Sequence, residues 1–434
     1  MRFGAYMKIK TKKITFEQFC ALKPAKRKKL KKPSFLFQTL VRLLSVPDLV
    51  ATRFSYTTSR MEKAGKGPYL ILMNHSSFID LKIASKIFYP KPYFIVCTSD
   101  GMVGKEWLMR KIGCIPTQKF VSDAALTRDM ARAVKEKKVS VLLFPEAGYS
   151  FDGCATTLPR KLGQLVKMLN VPVVSVITSG AFLRQPLYNN LRLRKTKVSA
   201  HVSCLITKEE IAEKSIEELD GIIDGAFAFD NFKAQLETKT QITDPHRAEG
   251  LNRILYRCPA CQTEHQTDGM GSTLVCRHCG KRYEMDVYGQ LNATEGETEF
   301  PHVPLWYQWQ RQCVKEELER GAYCLDLDVD IAVLTDYKAL YWLGKGHLTH
   351  DISGFHLIGC DGKLDYRQSP TASYSLNSDY YWYEIGDIIC IGNKQCLYYC
   401  FPKQKDIVTK ARLAAEELYK LCKSGKINNQ ETPV

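Results

Sequence analysis

Tyr69-Leu-Ile-Leu-Met-Asn-His-Ser-Ser-Phe-Ile-Asp80 is the stretch on which the reading of this chain turns. An apolar run of strand length stops at Asn74-His75-Ser76 and resumes with helical spacing, placing Asp80 in the first helical turn. A neutral imidazole at a strand's end, with a carboxylate one turn further on, is how a protein holds a general base and fixes its tautomer. The same letters also spell a capping box, Ser77-Phe-Ile-Asp80, in which the acid would only satisfy backbone donors. Spacing alone does not separate these readings. His356 and Asp361 repeat it, but they lead into Asp361-Gly362, a hairpin turn signal with no helix to present the acid.

Outward from this stretch, apolar runs alternate with helix-period segments: Pro92 to Cys97, Val139 to Phe144, Val171 to Ile177 and Val198 to Cys204. Such alternation predicts an α/β layer fold with a mostly parallel sheet. Thr207-Lys-Glu-Glu210 and Ser215-Ile-Glu-Glu218 are capping boxes that open helices running to about residue 238, so this domain closes near Pro245.

The 434 residues are 45% hydrophobic and 25% charged, enough for two or three globular domains. The net charge of +16 is unevenly spread, because Lys8 to Lys32 carries eleven Lys or Arg against Glu17 alone. Such an arm calls for a polyanionic partner, a nucleic acid or an anionic membrane surface. Beside it, Pro33 to Pro47 reads as a short helix with a polar stripe of Gln38, Arg42 and Ser45. At about 20 Å it is too short to span a bilayer core of about 30 Å. It fits either a segment lying in the membrane interface beside basic residues or a helix packed on its own domain.

Sixteen cysteines without a signal-peptide pattern point to a reducing compartment. Four have another use. Cys258-Pro-Ala-Cys261 and Cys276-Arg-His-Cys279 are paired knuckles at zinc-ribbon spacing, and four thiolates close a tetrahedral Zn²⁺ shell, leaving the metal a structural role. Residues 289 to 304 read as a linker. After a helix from Trp306 to Glu319, short strands with turn signals and a final helix from Asp406 to Lys423 predict an antiparallel β-domain. In outline it is similar to pleckstrin-homology-like domains.

Three further stretches fall in register with the first: Gly113-Cys-Ile-Pro-Thr-Gln-Lys119, Phe144-Pro-Glu-Ala-Gly-Tyr-Ser-Phe-Asp-Gly153 and Val171-Pro-Val-Val-Ser-Val176. In order and spacing the four blocks resemble those of the glycerolipid acyltransferases, the family of 1-acylglycerol-3-phosphate acyltransferases, over roughly residues 60 to 205. The resemblance implies that His75 is the general base and Asp80 its partner. It implies that Lys119 holds the acceptor's phosphate in place of the usual Arg, and that Glu146 and Gly148 belong to the block that binds the glycerol or phosphate part. Ala147 stands where Gly is usual and Tyr149 where a basic residue is common, so another cation, Arg160 or Lys161, is expected to serve that phosphate.

The expected layout is a basic, membrane-associating arm over 1–60, an acyltransferase domain over 61–245, a zinc ribbon over 250–290 and the β-domain over 303–425. The expected chemistry moves a fatty acyl group from acyl-CoA or acyl-carrier protein to lysophosphatidate, with Zn²⁺ structural and no catalytic cofactor. The expected place is the cytoplasm, peripheral on the inner face of the membrane. The competing readings are a nucleic-acid-binding module made of the basic arm and ribbon, which would not need the three blocks around His75, Lys119 and Glu146, and an acyltransferase acting on a different lysolipid.

Overall fold

The computed structural model describes residues 8–121 and 123–427. Strand β1 (Thr11–Lys13) and helix α1 (Phe16–Cys20) precede α2 (Phe35–Ala51) and β2 (Ser55–Ser59). The α/β part follows as β3 (Leu70–Met73), α3 (Asp80–Phe88), β4 (Tyr93–Thr98), α4 (Glu106–Ile112), β5 (Cys114–Thr117) and α5 (Ala124–Lys135). It continues with β6 (Ser140–Leu143), α6 (Leu162–Leu169), β7 (Val173–Ser179), α7 (Ala181–Arg184) and β8 (Ser199–Ile206), and ends with α8 (Lys208–Glu213), α9 (Ile216–Ala226) and α10 (Asn231–Glu237).

Its seven strands lie in the order β2-β8-β7-β3-β6-β4-β5, parallel in every pairing except β7 with β8. β3 sits in the middle with all four residues buried, which is why its sequence is a continuous apolar run rather than an alternating one. In open sheets of this kind ligands gather at the carboxyl ends of the strands, and β3 ends at Asn74-His75. Two strands escape the sequence reading for the same reason. β2 and β5 are edges, one polar (Ser-Tyr-Thr-Thr-Ser) and one carrying Pro116, and edges neither need apolar residues nor exclude proline. Both expected capping boxes form, with Thr207 and Glu210 opening α8 and Ser215 and Glu218 opening α9.

The chain then builds a four-stranded antiparallel sheet from β9 (Thr267–Met270), β10 (Thr273–Cys276), β11 (Arg282–Met285) and β12 (Leu291–Ala293). β12 corrects the expected linker. Leu291 is fully buried and its N–H bonds Pro301 O at 2.8 Å, so the small sheet extends past residue 290.

Helix α11 (Val303–Glu319) leads into β13 (Leu325–Leu334), β14 (Leu340–Asp351), β15 (Gly354–Gly359), β16 (Leu364–Gln368), β17 (Asn377–Trp382), β18 (Gly386–Gly392) and β19 (Leu397–Pro402). They form one antiparallel path, β16-β15-β14-β13-β19-β18-β17, against which α12 (Val408–Lys423) packs its apolar face. His356 lies on β15 and bonds Asp365 at 2.8 Å rather than Asp361, as its hairpin context requires.

The basic arm is not a free tail. β1 pairs in parallel with residues 340 to 342 of β14, Phe16, Phe19 and Leu22 pack on the β-domain core, and Ala25 N–H bonds Thr335 O at 3.0 Å. Arg27 and Lys28 then cross to the α/β part, pairing with Asp123, Asp129 and Glu106. Helix α2 also runs further than its sequence suggests, through Pro47 to Ala51. Its orientation is inverted relative to a core helix. Ser45 is buried, and Gln38 bonds the carbonyls of Tyr93 and Ile112 at 3.0 and 3.3 Å, while Phe35, Leu36, Leu40, Leu43, Leu44 and Val50 are exposed.

One hydrophobic core joins the small sheet, the β-domain and the Phe151 to Leu191 region of the α/β part. Trp306, fully buried, pins that junction by donating its indole N–H to Arg257 O at 2.9 Å. Trp306→Ala is expected to cost about 3–5 kcal/mol. Denaturant unfolding should show the small sheet and the β-domain destabilised together, whereas loss confined to one of them would mean that they do not share this core.

Candidate active site and metal centre

β3 delivers Asn74 and His75 to the sheet's carboxyl edge, and the turn into α3 returns Asp80 beneath them. Asp80, 1% exposed, accepts three hydrogen bonds on Oδ2: from Ser76 N–H at 2.8 Å, Ser77 N–H at 3.0 Å and His75 Nδ1 at 3.1 Å. The capping and catalytic readings of this acid are therefore one arrangement. Since a carboxylate only accepts, the geometry assigns the proton to Nδ1 and leaves the Nε2 lone pair available. Asn74 ties the edge to β7, its Oδ1 accepting from Thr178 N–H at 2.8 Å and its amide donating to Thr178 O at 3.2 Å.

Glu146 lies behind the histidine, fully buried. One oxygen accepts His75 N–H at 2.7 Å and the other Thr156 N–H at 3.2 Å. Burial pushes its pKa up to about 8, against two N–H donors that favour the ionised form. Its contacts make it a brace for the His75 main chain. The turn it begins contains Ala147 at φ 55, a left-handed conformation that costs an L-residue roughly 1–2 kcal/mol. Gly148 follows, buried, with nothing near the place a side chain would take.

The imidazole is flanked by Phe144 and Tyr149, with ring centroids 4.2 and 4.0 Å away. This enclosure lowers the His75 pKa, chiefly by desolvation and further by the Lys119 charge, while Asp80 works the other way. At neutral pH the ring is neutral and basic. Lys119 follows β5, reached through Gly113, which ends α4 at φ 117, and it is half-buried. Its charge also acts on Asp379 of β17, a buried acid whose pKa is raised to about 6, first by burial. Arg160 and Lys161 are both exposed, and Arg160 pairs with Asp224 at 3.7 Å.

Phe144 and Tyr149 lie in the third block, but nothing in its letters shows that their rings flank His75. Asp379 and Arg412 sit far away in the chain, where only the packing of the β-domain brings them in.

The four cysteines converge as their spacing requires. The Sγ atoms of Cys258, Cys261, Cys276 and Cys279 lie within 4.8 Å of one another, with Cys258 to Cys279 at 3.8 Å and Cys261 to Cys276 at 3.7 Å. A tetrahedron with Zn–S bonds of about 2.3 Å has edges of about 3.8 Å, so the donor set fits Zn²⁺. Gly280 leaves the second knuckle at φ 78. Of the ribbon's Arg277, Lys281 and Arg282, which the nucleic-acid reading would use, Lys281 is engaged within the protein. Lys281 bonds the carbonyls of Glu295 and Glu297 at 3.1 and 2.6 Å.

Part of the chain is similar to known proteins. Residues 53–179 match the model of a family described as Acyltransferase. The crystal structure of the 1-acyl-sn-glycerophosphate (LPA) acyltransferase PlsC from Thermotoga maritima is similar at 16% identity and a TM-score of 0.34, covering 44% of this chain and 76% of that one. No curated protein sequence matches the chain.

Two outcomes are expected. The purified protein should hold zinc, and both chelation and Cys258→Ser should lower its melting temperature; unchanged melting after complete zinc removal would refute a structural metal. Histidine NMR should show His75 titrating below 6.5, its ordinary value, and Asp80→Asn should move it lower still, because the carboxylate favours the charged ring. A histidine that binds fewer protons folded than unfolded contributes stability above pH 6.5 that erodes as pH falls towards its folded pKa.

Proposed function

We propose that this protein, whose residues 53–179 match the acyltransferase family model, is a peripheral membrane enzyme that transfers a fatty acyl group from a thioester carrier to the free hydroxyl of a lysophospholipid, lysophosphatidate above all. The observation that carries this reading is the His75 ring, with Nδ1 held by Asp80 and Nε2 unclaimed, inside a turn that belongs to the matched region.

His75 Nε2 takes the proton from the acceptor hydroxyl as its oxygen attacks the thioester carbonyl. The imidazolium formed is stabilised by Asp80. Collapse of the tetrahedral intermediate breaks the carbon–sulfur bond, and the imidazolium returns its proton to the leaving thiolate of coenzyme A or a carrier protein. Lys119 acts as a point charge for the acceptor's phosphate, and binding that remote group orients the hydroxyl. Glu146 contributes as the brace of His75, with Gly148 leaving room beside it for the glycerol.

Two features support a membrane as the place of work. The apolar face of α2 points outward, and Phe78, Leu81 and Trp107 extend the exposed apolar surface beside it. Phe78 in turn contacts Tyr149, 5.8 Å between ring centroids, so the surface reaches the histidine's own flank. Among the described residues no helix is long and apolar enough to cross a membrane. Exposed lysines at positions 8 to 13 and 23 to 32 would meet anionic headgroups, each contributing about 1 kcal/mol. On this reading the domains are the arm and α2, the acyltransferase domain, a Cys₄ zinc ribbon, and an antiparallel β-domain closed by α12, read as pleckstrin-homology-like.

His75→Ala should reduce thioester turnover by at least about a hundredfold at unchanged melting temperature. Near-normal turnover would refute the assignment. In the wild type, kcat/KM should fall on the acid side with a midpoint below 6.5. Lys119→Ala should raise the KM for lysophosphatidate far more than Arg160→Ala or Lys161→Ala, and an unchanged KM in the Lys119 variant would remove it from the phosphate site. Flotation with anionic liposomes, set against a gel shift with nucleic acid at physiological salt, separates the membrane reading from the alternative.

A further inference from the structure

The β-domain reaches the turn that encloses His75. Arg412 of α12 is 4% exposed, and its Nη1 donates to Tyr149 O at 3.4 Å while the guanidinium lies 4.5 Å from the Phe151 ring centroid. Phe151 is also contacted by Tyr380, at 4.8 Å between ring centroids. The guanidinium is itself held by Glu416, Nε to Oε1 at 3.2 Å. Glu416, 2% exposed, also accepts the Ser375 hydroxyl at 2.6 Å and pairs with Arg311 at 2.7 Å.

We propose that Arg412 is a positioning residue for acyl transfer, fixing the Tyr149 to Phe151 turn and through it the imidazole of His75. This rests on the reading of His75 as the base.

Ions in a protein interior cost several kcal/mol each to desolvate, and an apolar pair of similar volume is often as stable or more so. An ion network at this place therefore specifies geometry. Arginine suits the task because its planar group stacks on a ring and donates in the same plane, which a lysine ammonium cannot do together. Arg412 is committed to Glu416 and Tyr149 O and is 4% exposed, so it is not the cation for the acceptor's phosphate. Its effect passes through Tyr149, whose ring stacks on His75 at 4.0 Å.

The test uses the full-length protein with Arg412→Met/Glu416→Met, which fills the space with apolar side chains and leaves Arg311 paired with Glu417 at 2.9 Å. Turnover is read as thiol release from an acyl thioester. The folded double variant is expected to lose about ten- to a hundredfold in kcat, with acceptor KM changing less than about twofold. Its acid limb should move up towards the ordinary histidine value, because a loosened Tyr149 lets water reach the ring. Asp80 and Lys119, the charged groups that act on the His75 ring, are unaltered; the Arg412 charge favours the ionised form of Glu146, which holds the His75 N–H, and Arg412→Lys keeps that charge, so a shift seen in the lysine variant too reports packing.

Arg412→Lys, which keeps a charge for Glu416 but not the stacked donor, should fall between the two and carries the test if the double variant does not fold. Wild-type kcat and acid limb in whichever variant is folded would overturn the inference. His75→Ala run in parallel keeps the two readings apart: if it is inactive while the Arg412 variants behave as wild type, only this inference fails, and if it is active, the assignment of the base fails.

Discussion

One carboxylate oxygen organises the site. Asp80 Oδ2 collects two backbone N–H groups and the imidazole Nδ1, so the turn after β3, the start of α3 and the tautomer of His75 are set by the same atom. Three donors on one acceptor fix its position and orient the ring without any contact to Nε2. Glu146 does the complementary job from below, holding the His75 N–H and linking it to Thr156 in the following loop. The imidazole is thus fixed from the main chain as well as from the side chain.

The β-domain is part of this enclosure rather than an attachment. Val103 and Val121, which bracket the strand leading to Lys119, lie in one apolar cluster with Ala332, Leu340 and Trp382. Phe120 meets Tyr374 at 5.4 Å, and Gln118 donates to Lys394 O at 3.4 Å, so both neighbours of Lys119 are held by the β-domain. Arg412 and Tyr380 close the other side at Phe151. The basic arm laces the same two parts together through β1 and Arg27.

Helix α2 follows a different physical rule. A helix on a globular surface hides its apolar stripe, whereas this one turns its polar stripe inward, where Gln38 satisfies two carbonyls, and leaves leucines outside. Asp48, pairing with both Lys82 and Arg184, anchors the helix to the α/β part in that orientation. The membrane contact proposed above would give that exposed face an apolar partner.

What the chain's letters determine by themselves is local. The apolar run of β3, the His-to-Asp spacing across one turn, the two capping boxes and the paired Cys knuckles depend on neighbours within a few residues, and each forms as its pattern requires. The edge strands β2 and β5, the pairing of β1 with β14 and the strand β12 inside an expected linker were settled by partners far along the chain, to which polar or proline-bearing segments carry no periodic signal. The same holds for which face α2 exposes and for the placing of Arg412 and Asp379 beside the active-site blocks. Those contacts exist because a shared core draws the three parts together, and burial of apolar surface, being non-directional, leaves no mark in the sequence of the polar residues it carries along.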